Sequence, residues 1–206
     1  MKKLESTFRN MVISLGSITI VAALLLAWVN GVTEEPIRQA EADVQNKALE
    51  EVIPEHDNNP LDDSFSTVLN AGKADSVRVV VYPALKGGKL TGAAVEASAQ
   101  GFADKVVVVY GFDLDGKVRN YSVLKQSETP GLGTKMADWF RNPEGRRSVI
   151  GRNPGTENLT VSKDGGDVDA ITAATISSRA FLKTLNDAFA AYKEFKEKEG
   201  KEAVHE

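Results

Sequence analysis

One uninterrupted apolar segment near the N-terminus constrains the fold of this chain more than any other feature. The segment MVISLGSITIVAALLLAWV, from Met11 to Val29, contains no charged residue. A helix rises about 1.5 Å per residue, so this segment is about long enough to cross a hydrocarbon core of about 30 Å. We therefore expect a transmembrane helix over residues 11–30, preceded by a short N-terminus at residues 1–10.

A cleavable secretory signal peptide has a similar basic start and apolar middle. The apolar run is longer than such peptides need, and Trp28, Val29 and Asn30 stand where a cleavage site requires small residues. These features favour a retained anchor.

The charges that flank the apolar segment predict its orientation. Lys2, Lys3 and Arg9 precede it, whereas Glu34 and Glu35 follow it. The positive-inside rule then leaves the N-terminus on the cytoplasmic side of the membrane. We expect the remainder of the chain on the opposite, extracytoplasmic side.

Composition excludes several classes of function. The net charge is −4, and residues 1–30 contribute +2 to it, so the rest of the chain carries −6. An acidic domain lacks the basic surface that nucleic acid requires. Without cysteine, the chain has no disulfides, thiolate catalysis or iron–sulfur clusters, and two histidines do not make a histidine-rich metal site. We expect no metal.

Local patterns after the span predict an α+β fold. Pro36 is suited to the first turn of a helix, which predicts a helical stalk over residues 31–56. We expect residues 57–198 to form one extracytoplasmic domain with antiparallel strands and a long C-terminal helix. We expect residues 199–206 to form a flexible tail. The β-branched runs from Ser76, Leu90 and Lys105 predict strands, and the Asp115-Gly116 pair predicts a hairpin turn.

The chain between the hairpin and the last helix is predicted to be mostly loop. A short helical piece is expected near Ala137 to Phe140. The segment ENLTVSKDGGDVD, residues 157–169, reads as a short strand with a flexible Gly165-Gly166 joint.

The last helix begins in a cluster of hydroxyl side chains. Leu182, Leu185, Phe189 and Tyr192 recur at helical spacing and predict one buried face. The same three- and four-residue spacing, continued towards the N-terminus, places Thr175 on the core-facing side of the helix. Thr172 lies about 60° away on that side at about 100° of rotation per residue.

Two interpretations of this cluster remain open on the residues alone. Serine, threonine and aspartate are favoured helix caps, and capping by Asp169 or Thr172 would explain them. A helix N-terminus also favours phosphate, and the Thr175 hydroxyl there is suited to holding a phosphoryl group as an ester.

Two motifs together resemble the FMN-binding domain family. TAATISS, residues 172–178, resembles the family's flavinylation motif, and SETPGLGTK, residues 127–135, resembles its upstream Glu-Thr-Pro-Gly-Leu-Gly signature. In this order behind one N-terminal span, they are similar to the G subunits of Rnf ion-translocating electron-transport complexes.

The first motif, by this resemblance, implies that Thr175 is esterified to the phosphate of FMN. A flavin transferase would install the group outside the membrane from FAD. Asp169 and Thr172 would belong to the sequence that this enzyme recognises. Ala173 departs from the family's motif, which usually has glycine at this position. Its methyl group restricts φ or crowds a close approach of backbone.

The second motif would form the flavin pocket. The resemblance implies that Leu132 packs on the isoalloxazine ring, that Thr129 hydrogen-bonds near its polar edge, and that Glu128 fixes the loop. A plainer interpretation gives Glu128 a salt bridge with Lys135.

The glycines and one aromatic residue complete the implied site. Pro130-Gly131 is a turn dipeptide, and Gly131 and Gly133 would leave room for backbone to approach a flat ring. Phe102 matches a Gly-aromatic position of the family, although an ordinary core position is the alternative.

The resemblance implies an electron relay without independent turnover. The complex as a whole would couple electron transfer between ferredoxin and NAD to Na⁺ or H⁺ transport, with other subunits of the Rnf complex as partners. The related C subunits of sodium-pumping NADH:quinone reductase share both motifs and remain an alternative. A flavin-free periplasmic binding or scaffold domain is a second alternative.

Overall fold

The apolar N-terminal segment lies within one long helix. A computed structural model describes residues 7–72 and 76–202, and its helix α1 runs over Phe8–Val52. It is the one helix of the described residues that is long and apolar enough to cross a membrane. The large apolar side chains between Phe8 and Val32 are exposed, as expected for a helix surrounded by lipid.

The prediction that Pro36 opens a new helix is wrong. Pro36 lies inside α1. Proline removes one backbone N–H from the helical hydrogen bonds, but the bonds of the turns on either side can carry a helix through. The chain divides into two compact units, residues 1–44 and residues 45–206, so the last turns of α1 belong to the second unit.

A five-stranded antiparallel sheet forms the centre of the second unit. Its strands neighbour each other in chain order, as in a meander. The first strand was not predicted, because it is only five residues long and just one of them is buried. The strands are β1 Phe65–Leu69, β2 Val77–Lys86, β3 Lys89–Gln100, β4 Lys105–Asp113 and β5 Val118–Lys125.

Both faces of this sheet are covered, which explains the near-continuous β-branched run of β4. On one face, Val108 and Tyr110 pack in a large core that includes Phe181 and Leu185 of the last helix, α3 (Thr175–Glu202). On the other face, Val109 packs in a smaller core with the end of α1.

The end of α1 approaches the sheet closely. A Cβ atom at Gly111 of β4 would lie 1.8 Å from the carbonyl oxygen of Val52, so glycine is required there. Ala48, Leu49 and Ile53 are also buried in this smaller core.

The predicted helical face of α3 is largely confirmed. Leu182, Leu185 and Tyr192 are buried, and Phe189 packs against them. The Tyr110 hydroxyl donates to the Phe181 carbonyl at 2.9 Å and thereby holds the first turns of α3 against β4.

Two local predictions between the hairpin and α3 have different outcomes. A short helix is present at α2, Met136–Trp139. The expected strand over residues 157–169 is wrong: Val161 and Val168 form a single bridge around a 3-10 turn, Ser162–Asp164. Gly165 follows that turn with a φ of 86°, which ends any extended run.

Candidate functional site

A cleft opens between the loop after β3, the loop at residues 127–135 and the first turn of α3. Its volume is about 400 Å³, within the range usual for small-molecule sites. The lining residues are Phe102, Thr129, Leu132, Gly133, Ala173, Ala174, Thr175, Ile176 and Ser177.

Five residues predicted from the two motifs and the Gly-aromatic position line this one cleft: Phe102, Thr129, Leu132, Gly133 and Thr175. They come from three segments that are well separated in the chain. Asp169, Thr172, Glu128 and Gly131 lie outside the lining set.

Exposed apolar side chains form the walls of the cleft. Phe102 is 65% exposed, Ile176 49% and Leu132 37%. The core interpretation of Phe102 is therefore wrong. Ile176 was not among the predicted site residues, although a large apolar residue on the side of α3 opposite its buried face was a usable signal. Apolar walls of this kind suit a flat aromatic ligand.

Glu128 is a buried support behind the cleft. Its side chain is 4% exposed, and its Oε1 accepts hydrogen bonds from the backbone N–H groups of Phe102 (2.9 Å) and Ala103 (3.2 Å). Its Oε2 accepts a hydrogen bond from the Ser177 hydroxyl. One carboxylate thus joins all three segments, whereas the alternative salt bridge to Lys135 does not form.

Two glycines make room for this carboxylate. A Cβ at Gly101 would lie 2.4 Å from Glu128 Oε1, and a Cβ at Gly133 would lie 2.6 Å from Ser177 Oγ. The expected reason for Gly133 therefore needs correction, because its close neighbours are protein atoms of the Glu128 support.

Thr175 lines the cleft and is not in the buried core. It is the first residue of α3, it is partly exposed, and its Oγ1 lies 3.4 Å from the Lys163 ammonium nitrogen, which donates to it. The core-facing prediction is wrong: the first turn of α3 borders the cleft, so Thr175 contacts the cleft and Lys163 instead of the buried core. Thr172 is not placed by helical spacing at all, because it lies in an exposed turn before α3.

Asp169 is held by a neighbouring loop. Its carboxylate accepts hydrogen bonds from the backbone N–H and the guanidinium of Arg146, both at 3.2 Å. The backbone hydrogen bond, together with the guanidinium charge, lowers the pKa of Asp169. Within the described residues neither Asp169 nor Thr172 caps α3, so the capping interpretation of these two side chains is wrong.

The turn before α3 contains a strained residue. Ala173 has a φ of 61°, in the left-handed region that favours glycine. Gly131, in the other motif, has a φ of 74°, as its predicted turn role requires.

The fold and cleft agree with a known class of domain. Residues 101–190 match the FMN-binding domain family. The matched range contains the motif loop, the cleft and the first half of α3.

Relatives over most of the chain belong to one kind of complex. The chain is 34% identical over 178 residues to the G subunit of the ion-translocating oxidoreductase complex of Cereibacter sphaeroides, covering 84% of this chain and 78% of the relative. It is 31% identical over 188 residues to the G subunit from Yersinia pestis, covering 88% of each. The chain belongs to the family of ion-translocating oxidoreductase complex G subunits.

One solved structure is also similar. The crystal structure of NqrC from Shewanella oneidensis aligns with a TM-score of 0.39 and 20% identity, covering 64% of each chain.

Proposed function

We propose that this chain is a membrane-anchored electron-transfer subunit of an ion-translocating oxidoreductase complex, with FMN joined to Thr175 through a phosphoester. One observation carries the proposal: a single cleft brings together Thr175, the motif loop at residues 127–135 and Phe102. Membership of the G-subunit family and the FMN-binding domain match support it.

The residues of the cleft fit a flavin nucleotide. Phe102, Leu132 and Ile176 offer exposed apolar surface to a flat ring system. Thr175 lines the same cleft and is partly exposed, so its hydroxyl is suited to attachment.

The attachment step conserves atoms and charge. The Thr175 oxygen would bond to the phosphorus of the FMN half of FAD, the bond between the two phosphates would break, and AMP and the hydroxyl proton would leave. A flavin transferase would perform this transfer. No electron is transferred in the step.

The chain's own residues would position and retain the cofactor. When bound, FMN supplies the one- and two-electron redox chemistry. Glu128 keeps the loop after β3, the motif loop and α3 in fixed positions, so the apolar walls are preorganised. The ester at Thr175 keeps the cofactor with the domain in a compartment where a free flavin would diffuse away.

The proposal includes an arrangement in the membrane. Residues 1–10 lie in the cytoplasm, residues 11–30 span the inner membrane, residues 31–56 form a stalk, and residues 57–198 form the periplasmic domain. Other subunits of the complex supply and accept electrons and hold the sites for Na⁺ or H⁺.

The test is covalent loading in cells that contain a flavin transferase. We expect the wild-type band on a denaturing gel to fluoresce under ultraviolet light and to gain the mass of FMN minus water. Thr175→Ala removes the attachment oxygen, so that band is expected to be dark.

Thr156→Ala is the matched control, because Thr156 is an exposed threonine outside the cleft, and we expect it to fluoresce like the wild type. A dark wild-type band beside an active transferase would contradict covalent attachment and favour the flavin-free binding domain. A fluorescent Thr175→Ala band would place the link elsewhere.

A further inference from the structure

Among the described residues, Lys163 is the one cation within hydrogen-bonding distance of the proposed attachment oxygen. Its Nζ lies 3.4 Å from Thr175 Oγ1. Within residues 7–72 and 76–202, Lys163 forms no ion pair with a carboxylate. Its positive charge is therefore available to a ligand at Thr175.

The segment that carries Lys163 is fixed against α3. Lys163 is the middle residue of the 3-10 turn Ser162–Asp164. The next residue, Asp164, accepts two hydrogen bonds from the guanidinium of Arg179 in the second turn of α3, at 2.7 and 2.8 Å. This clamp keeps the Lys163 backbone beside the first turn of the helix.

Two acidic residues of the chain segment around Lys163 are already paired. Asp164 is bound by Arg179, and Asp169 is bound by Arg146. These arginines lower the pKa of both carboxyl groups. An anion arriving at Thr175 therefore meets an ammonium group that forms no ion pair with a carboxylate of the described residues.

We propose that Lys163 is a positioning residue for flavin attachment, which pairs with the phosphate that becomes esterified to Thr175. The inference rests on the proposed function. By donating to Thr175 Oγ1, the ammonium group leaves the hydroxyl proton free for removal by the transferase and stabilises the developing negative charge on oxygen. After transfer, it lies beside the phosphodiester, which keeps one negative charge.

The experiment measures the rate of covalent loading of the purified full-length chain with a flavin transferase and FAD. We expect Lys163→Gln to load about fivefold more slowly than the wild type, an effect at the upper end for an exposed charge pair. Lys163→Arg keeps the charge, so we expect most of the rate to return. Urea unfolding of each variant shows that the fold is intact.

Lys183→Gln is the matched control. Lys183 also carries a positive charge, but it lies about two turns into α3 and pairs with Asp187. Its substitution therefore removes the same charge at a position away from Thr175. We expect this variant to load at the wild-type rate.

A second readout follows the loaded protein. The ³¹P resonance of the phosphodiester is expected to shift in Lys163→Gln and to stay in place in Lys183→Gln, because only Lys163 lies beside the phosphate. Equal loading rates for the two glutamine variants together with an unshifted resonance would overturn the role of Lys163 and leave attachment at Thr175 standing. A wild type that does not load would overturn the proposed function and this inference with it.

Discussion

At the scale of single residues, Ala173 has an unfavourable backbone conformation inside the TAATISS motif. Its φ of 61° crowds the methyl group against its own backbone. Glycine has no such conflict, so we expect Ala173→Gly to raise the free energy of unfolding by about 1 kcal/mol. Urea denaturation of the two proteins measures the difference.

Ala190→Gly is the control, because there the same substitution is expected to lower the free energy of unfolding. Ala190 is an exposed residue in the interior of α3, where glycine costs about 1 kcal/mol relative to alanine. If both glycine substitutions destabilise the protein, the left-handed strain at Ala173 is not real.

Glu128 determines how the three segments around the cleft meet. Glu128→Ala would leave the N–H groups of Phe102 and Ala103 without their acceptor, together with the Ser177 hydroxyl. Since donors that lose a buried partner cost roughly 1–3 kcal/mol, we expect a loss of about 2 kcal/mol in the free energy of unfolding.

Glu128→Gln is the isosteric comparison for this prediction. Its amide oxygen can still accept from the two backbone N–H groups, and its NH₂ group can donate to the Ser177 oxygen. We expect a loss below about 1 kcal/mol in urea unfolding. Losses of equal size in the two variants would show that the hydrogen bonds are not what holds the loop.

At the scale of elements, a polar cluster lies where the end of α1 covers the sheet. Gln45 of α1 donates to Tyr82 Oη of β2 at 2.7 Å and to Glu96 Oε2 of β3 at 3.3 Å. Tyr82 also donates to Glu96 Oε2 at 3.3 Å. Burial raises the pKa of Glu96 above its ordinary value of 4.5, despite the lowering effect of these two donors.

This raised pKa makes stability depend on pH. The folded protein holds the Glu96 proton more tightly than the unfolded chain, so its contribution is fully present below pH 4.5 and is lost as the pH rises through the native pKa. Glu96→Gln remains uncharged, and we therefore expect it to be more stable than the wild type at pH 7, with the difference shrinking towards pH 4.

Urea midpoints across this pH range measure the effect. Glu194→Gln, on the exposed side of α3, serves as the control and should show no such pH-dependent difference. A Glu96→Gln difference that is constant with pH would contradict the role of burial.

The elements that could be predicted are those with a clear pattern in their own sequence. The strands from Val77, Lys89 and Lys105 were predicted within one residue of their starts, because β-branched runs and flanking turn residues mark them. β1 escaped detection because it is a short edge strand with little buried apolar surface. The last helix was expected to begin in the cluster of hydroxyl residues, and α3 does begin there, at Thr175.

At the scale of the whole molecule, the proposed orientation is open to a direct test. The chain contains no cysteine, so single cysteines can report exposure without a background. We expect Lys193→Cys to react with a membrane-impermeant maleimide in spheroplasts with an intact inner membrane. Ser6→Cys should react only after permeabilisation, because the positive-inside rule keeps the N-terminus in the cytoplasm. The reverse labelling pattern would contradict the orientation.

The sequence by itself determined the apolar span, the main strands, the buried face of α3 and the two motifs. Each of these depends on spacing within one segment, and spacing reports which side of a segment is buried. Only the tertiary structure decided that Phe102 and Ile176 face the same cleft, that Glu128 binds the loop after β3, and that Lys163 meets Thr175. The physical reason is that a periodic pattern does not identify the distant segment that supplies the contact; packing of the sheet between the end of α1 and α3 does.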